Sequence, residues 1–131
     1  MSTVLDDVVA TIHGAGYATL GVSLFQGEMP DEPSLCVAVL DAGGGGPRLG
    51  LGDVVLWDET MVQILVRGAT HAPARALAET IYQGFLEQYS STLNSVAYLQ
   101  AAPVAPVSYV DRDAEDRPLF ALTLRCWRMV P

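Results

Sequence analysis

The sequence predicts an α+β domain, a mostly antiparallel sheet with two helices packed on one face. Three observations lead there. Two segments place apolar residues at helical spacing, and six shorter ones read as strands bounded by turn residues. The strands follow one another through turns rather than alternating with helices, which favours antiparallel pairing. The chain has 131 residues, half of them apolar, which fits one domain able to bury a core without metals or disulfides.

Residues 3–15 are the first predicted helix. Thr3 and Asp6 form a capping box with aspartate in place of glutamate. Val4, Leu5, Val8, Val9 and Ile12 recur at i, i+4 and i+8 and give one apolar stripe, with Asp6, Asp7 and Thr11 off it. The two aspartates sit where the helix dipole favours negative charge, and His13 sits near the favourable opposite end. Gly14 and Gly16 supply the stop.

Residues 18–26 are predicted as the first strand, and GEMPDEP then forces a turn. Residues 35–41, apolar on both faces, read as a strand covered on both sides. Residues 42–56 hold six glycines and one proline and are predicted as a long flexible loop. Neither GxxxxGK[ST] nor GxGxxG is present there, so no phosphate-binding loop is expected. Residues 60–68 form the clearest strand. Val62, Ile64 and Val66 face one way; Met61, Gln63, Leu65 and Arg67 face the other, a half-apolar face that suits a wet subunit contact.

The second helix is predicted at about residues 72–89, with Pro73 in its first turn and Ala74, Leu77, Ala78, Ile81, Phe85 and Leu86 as its stripe. Gly84 in that helix either weakens it or marks close packing. SSTLN ends it, and SVAYLQAAP is a further strand. Residues 107–128 close the chain as two strands around a charged turn containing Arg112, Asp113, Glu115, Asp116 and Arg117. Phe120, Leu122, Leu124 and Cys126 point one way along the last strand, and Ala121, Thr123, Arg125 and Trp127 the other. Taken alone, the tip reads as a solvated turn or as a point of docking onto another subunit.

The net charge is −8, with seven arginines and no lysine, which disfavours nucleic-acid binding as the main activity. No apolar run reaches the roughly 18 residues of a membrane span. MSTVLDDVVA lacks a basic flank, so no signal peptide is expected and a cytoplasmic product follows by default. Cys36 and Cys126 lie in strands; they could pair if those strands were neighbours, but free, inert buried thiols are the expectation. His13 and His71 are far apart, and no metal or cofactor is expected. The carboxylates cluster at 28–32, 53–59 and 111–116, all in turns or loops, and no serine sits in GxSxG. An enzyme is therefore not expected. A small cytoplasmic enzyme would need Asp53, Asp58 or Glu59 to gather in a pocket with His71.

Three stretches carry a resemblance: LFQGEMPDEPSLCVAVLDAGG at 24–44, VQILVRG at 62–68 leading into HAPARALA, and the closing VDRDAEDRPLFALTLRCWR. Together, over roughly residues 5–128, the chain resembles the bacteriophage minor capsid proteins that act as tail terminators or tail-completion proteins at the neck of long-tailed phages. It departs from the family's pattern at the closing tip, where Asp116 stands for a glycine or asparagine and Asp111 for a glycine. The resemblance implies a structural virion protein, made in the host cytoplasm. It would form a homo-oligomeric ring, generally hexameric, that ends the tail tube and meets the head-side connector or stopper. DNA would pass through an acidic lumen without specific binding. A connector or stopper of the neck is the alternative placement. Gln63, Arg67, Arg112, Asp113 and Arg117 are then expected to serve subunit contacts or to position the closing hairpin, with intrachain ion pairs as the other possibility for Arg67 and Arg117.

Overall fold

The computed structural model describes residues 3–43, 46–49, 55–86 and 92–129. In chain order the elements are α1 (Val4–Ala15), β1 (Leu24–Gln26), β2 (Cys36–Asp41), β3 (Gly46–Leu49), β4 (Val55–Arg67), α2 (His71–Leu86), β5 (Thr92–Leu93), β6 (Val96–Pro103), β7 (Ser108–Arg112) and β8 (Pro118–Met129). The α+β prediction holds: two helices lie against one mostly antiparallel sheet.

The sheet is built on β4 and β8, which pair antiparallel from Trp57↔Met129 to Arg67↔Leu119. The far edge of β4 carries β3 along its first half and β2 along its second. The far edge of β8 carries β7 along its first half and β6 along its second. β1 extends the β2 edge in parallel, and β5 extends β6. The register aligns Val39, Ile64 and Leu122 in one row and Val37, Val66 and Phe120 in another. These side chains share a face because strand residues alternate sides. They form one core with Val8, Val9 and Ile12 of α1 and Ala74, Ala78, Ile81 and Phe85 of α2. The apolar stripes read from the helices thus cover this face, except that Leu86, included in the second stripe, is exposed.

The α1 capping box is present. Thr3 Oγ1 accepts the Asp6 amide at 3.1 Å, and the Asp6 carboxylate accepts the Thr3 amide at 2.8 Å. Gly16, at φ +80°, ends the helix. Arg75 and Glu79 pair across one turn of α2 at 3.7 Å. Gly84 marks close packing, since a Cβ there would come within 2.5 Å of the Tyr17 hydroxyl.

Four readings change. The strand expected at 18–26 is confined to Leu24–Gln26, because the Thr19 carbonyl accepts the amides of Val22, Ser23 and Leu24 and folds residues 19–23 into a turn. Within the glycine-rich stretch, Gly46–Leu49 pairs with β4, which itself begins at Val55 rather than 60. Glycine content hid the pairing because a ladder is made by backbone groups, whatever the side chains. Residues 44–45 and 50–54 lie outside the described residues. Thr92–Leu93 is a strand, joined to β6 by Asn94 and Ser95 at φ +50° and +64°, as a two-residue hairpin requires. Asp7, read as an off-stripe residue of the first turn, is fully buried.

Gly68 follows β4, and a Cβ there would lie 2.9 Å from Ala74 Cβ and 3.1–3.2 Å from backbone atoms of Thr70 and Ala74. Gly14, inside α1, has open space around it. Gly68→Ala is expected to cost about 1–3 kcal/mol through overpacking, whereas Gly14→Ala should stabilise by about 0.5–1 kcal/mol through helix propensity. Urea denaturation of the two variants checks both signs.

Candidate functional site

Two buried polar clusters tie distant parts of the chain together, and three of the five residues singled out in the sequence converge on one of them. Arg67 ends β4 in the row Cys36–Arg67–Leu119, on the sheet face turned away from the helices. Its relative exposure is 3%. The guanidinium donates to four carbonyls of one loop: Nη2 to Pro30 at 2.6 Å, Asp31 at 3.2 Å and Pro33 at 2.8 Å, and Nε to Ser34 at 3.2 Å. A planar, permanently charged group with forked donors suits this task, because those carbonyls point inward from a turn that has no strand to satisfy them.

Asp113 and Arg117 complete the cluster from the closing hairpin. Asp113 Oδ1 accepts the amides of Glu115 at 3.0 Å and Arg117 at 2.9 Å. Its Oδ2 receives Arg117 Nε at 2.8 Å and lies 3.8 Å from Arg67 Nη1. Arg117 Nη1 in turn donates to the Asp31 carbonyl at 2.6 Å. One carboxylate and two guanidinium groups therefore lock together the end of β4, the loop at 30–34 and the β7–β8 turn. Desolvation would push the Asp113 carboxyl up, but the Arg117 and Glu115 amides and the Arg117 charge outweigh it and hold the carboxyl below its ordinary range. Beside the cluster a hollow of about 320 Å³ opens over Met29, Leu65 and Leu119, with Asp31 and Glu115 among its lining residues.

Of the five residues expected at contacts, Arg67, Asp113 and Arg117 are thus brought together within one chain, where they position the hairpin. Arg112 lies outside them. It is exposed and binds the Asp116 carbonyl at 2.9 Å and the Asp116 carboxylate at 3.6 Å. Asp116 has φ +63°, the left-handed conformation for which glycine or asparagine is the usual choice. Gln63 is half-buried, four positions before Arg67 on the same face of β4, paired with Leu40 and Thr123.

Sequence reasoning missed the second cluster. The Asp7 carboxylate accepts the Tyr98 hydroxyl at 2.5 Å and the Asn94 side-chain amide at 3.1 Å, and lies 3.7 Å from Arg128 Nη1. It anchors α1 to β6, β8 and the β5–β6 turn. Burial, then the bond to Asp7, pushes the Tyr98 hydroxyl far up, and burial with the Asp7 charge pushes the Cys126 thiol up to about 12. Cys36 is buried as well and its thiol is pushed up by burial. The registers place Cys36 on the outer face with Arg67 and Cys126 on the core face.

Among the described residues the carboxylates and histidines named from the sequence do not assemble into one site. Asp58 and Glu59 lie near the start of β4 and His71 beyond its end, separated by roughly 26 Å of extended strand from Glu59 to Arg67 alone. Asp53 lies outside the described residues. Among the described residues no group of three or more His, Cys, Asp or Glu side chains could hold a metal ion, and no helix is long and apolar enough to cross a membrane.

The family model described as "Bacteriophage tail terminator protein" matches residues 11–127. A solved chain from the "Virion of native gene transfer agent (GTA) particle" is similar in fold, with a TM-score of 0.57 at 14% identity, covering 98% of this chain and 87% of that one. No curated protein matches the sequence.

Arg67→Ala is expected to destabilise the monomer by about 3–5 kcal/mol, because buried carbonyls and Asp113 lose their donor. Arg112→Ala, at an exposed pair, should stay within about 1 kcal/mol of wild type. Thermal melts of both variants check the contrast. The lowered Asp113 value also fixes a sign with pH. Its stabilisation is complete above the unfolded carboxylate value of about 4 and is lost as pH falls through the lower folded value. Asp113→Asn should therefore show a shallower loss of stability between about pH 4 and pH 2 than the parent, measured by urea midpoints across that range.

Proposed function

The chain belongs to the bacteriophage tail terminator family, and on that premise we propose that it forms a ring, a hexamer in this reading, which caps the tail tube and provides the joint to the head-side connector. The family match is the observation that carries this reading: it runs from the second half of α1 through β8 and so spans the sheet and both helices. The protein is a structural component of the virion's tail assembly.

Two features of the chain support the finer role. The Arg67–Asp113–Arg117 cluster holds the closing hairpin and the 30–34 loop as one stiff unit, which a subunit needs if its contacts are to be preformed. Its net charge of −8 would keep a ring lumen from adhering to passing DNA. Gln63 and Arg112, which the intrachain cluster leaves at the surface, are then the members of the expected set that serve subunit contacts. Arg67, Asp113 and Arg117 act by positioning. The partners are further copies of this chain, the tail tube protein on one side and the connector or stopper on the other.

The test is tube growth. Tail tube protein polymerised with the chain present should give short tubes of narrow length distribution, each with a density at one tip in electron micrographs. Tubes of unchanged length with bare tips would overturn the capping role. Binding to the isolated connector alone would move the protein to the connector side of the neck.

A further inference from the structure

Two edges of the sheet, at β1 and β7, carry most of the large exposed apolar side chains among the described residues. Of the eight large apolar side chains exposed among the described residues, six sit there: Leu20, Val22 and Leu35 at the β1 edge, and Val104, Tyr109 and Val110 at the β7 edge. At the first edge, Leu24 pairs in parallel with Val37, just beyond Val22 on one segment and Leu35 on the other. The Ser23 carbonyl accepts the Val37 amide there at 2.8 Å. Leu20 and Val22 flank Gly21 in the 19–23 turn. That turn is held by the Thr19 carbonyl, by the Leu24 carbonyl accepting the Gly21 amide, and by Ser23 Oγ accepting the Thr19 amide. Turns of this kind ordinarily present polar residues. Here a stiff backbone holds two aliphatic side chains in water, at 52% and 64% exposure.

The opposite edge is β7, all five of whose residues are exposed. Among the described residues β7 pairs only with β8, so its outer edge is open. Both patches lie at the same level of the sheet. Leu24, Val37, Val66, Phe120 and Tyr109 form one unbroken row of paired residues across β1, β2, β4, β8 and β7. Four strand spacings separate its ends, roughly 19 Å.

We propose that the β1 edge of one copy of this chain docks head-to-tail against the β7 edge of the next. The inference rests on the ring reading and says which surfaces close the ring. A ring needs two unlike surfaces on each subunit, whereas a two-fold dimer needs one self-complementary surface. The polar groups beside the patches favour unlike edges. His13 Nδ1 accepts the Leu20 amide at 3.1 Å, so the neutral ring carries its proton on Nε2 and offers a donor beside the β1 patch. Asp111, exposed next to Val110, offers a carboxylate beside the β7 patch. Unlike edges match the His13 donor to the Asp111 acceptor.

Site-directed cross-linking on the full chain tests this, because both native cysteines are buried and engineered surface thiols react alone. Val22→Cys, Val110→Cys and the double variant are treated with a short bis-maleimide, with and without tail tubes present, and run on denaturing gels. The double variant should give a covalent ladder up to the ring size, and each single variant should stay monomeric. Dimers from either single variant would show like edges meeting and overturn the proposal. A ring seen by light scattering with no cross-link in any variant would overturn the edge assignment and leave the ring intact. A wild-type chain that forms no oligomer, even with tubes present, would remove the ring reading and this contact with it.

Discussion

The eleven-residue pairing of β4 with β8 is the constraint on which the rest of the structure depends. Every other strand except β1 and β5 pairs directly with one of these two, and both helices lie on the face they define. Its register is fixed from both sides at once. Val62, Ile64 and Val66 meet Leu124, Leu122 and Phe120 on the core face, while Met61, Gln63, Leu65 and Arg67 stay on the other. A slip by one residue would turn Gln63 and Arg67 toward the helices and expose the valines, so the core and the charged face specify the same pairing.

At each end of this ladder a buried charge holds a segment that the ladder cannot reach. Asp7 ties the start of α1 to β6 and to Arg128, whose backbone partner on β4 is Asp58. Arg67, nine residues further along β4, ties down the 30–34 loop and the closing hairpin. The two clusters are therefore roughly 30 Å apart along one strand. Both join residues remote in sequence, Asp7 to Tyr98 and Arg117 to Asp31. In each a permanently or normally charged group satisfies buried polar atoms of irregular backbone, where a lone polar group would be costly. The two clusters thereby fix the irregular segments at both ends of the β4–β8 ladder.

Much of the fold was legible from local pattern. Thr3 and Asp6 marked the first helix, the alternation from Phe120 to Cys126 marked the core strand, and Val62, Ile64 and Val66 marked its partner. Local pattern failed where the backbone acted without help from side-chain periodicity. Gly46–Leu49 pairs through amides and carbonyls that leave no mark on composition. The 19–23 turn interrupts an alternating run because one carbonyl, that of Thr19, takes three amides. The Asn94–Ser95 hairpin does leave a signal, an Asn-led pair between apolar residues, but after a helical stripe the same residues also fit a helix stop.

The sequence by itself determined the class of fold, the faces of its main strands and helices, and the family, since these depend on periodicity and on short motifs that are local to the chain. Tertiary structure alone decided what the charged residues do. Arg67 has the spacing of an outward-facing strand residue, yet the 30–34 loop folds over it and makes it the most heavily bonded side chain of the site. Asp7 has the position of a solvated first-turn acid, yet Tyr98 and Asn94 close over it. Whether a charge is solvated or buried depends on which distant backbone arrives beside it, and no spacing along the chain records that.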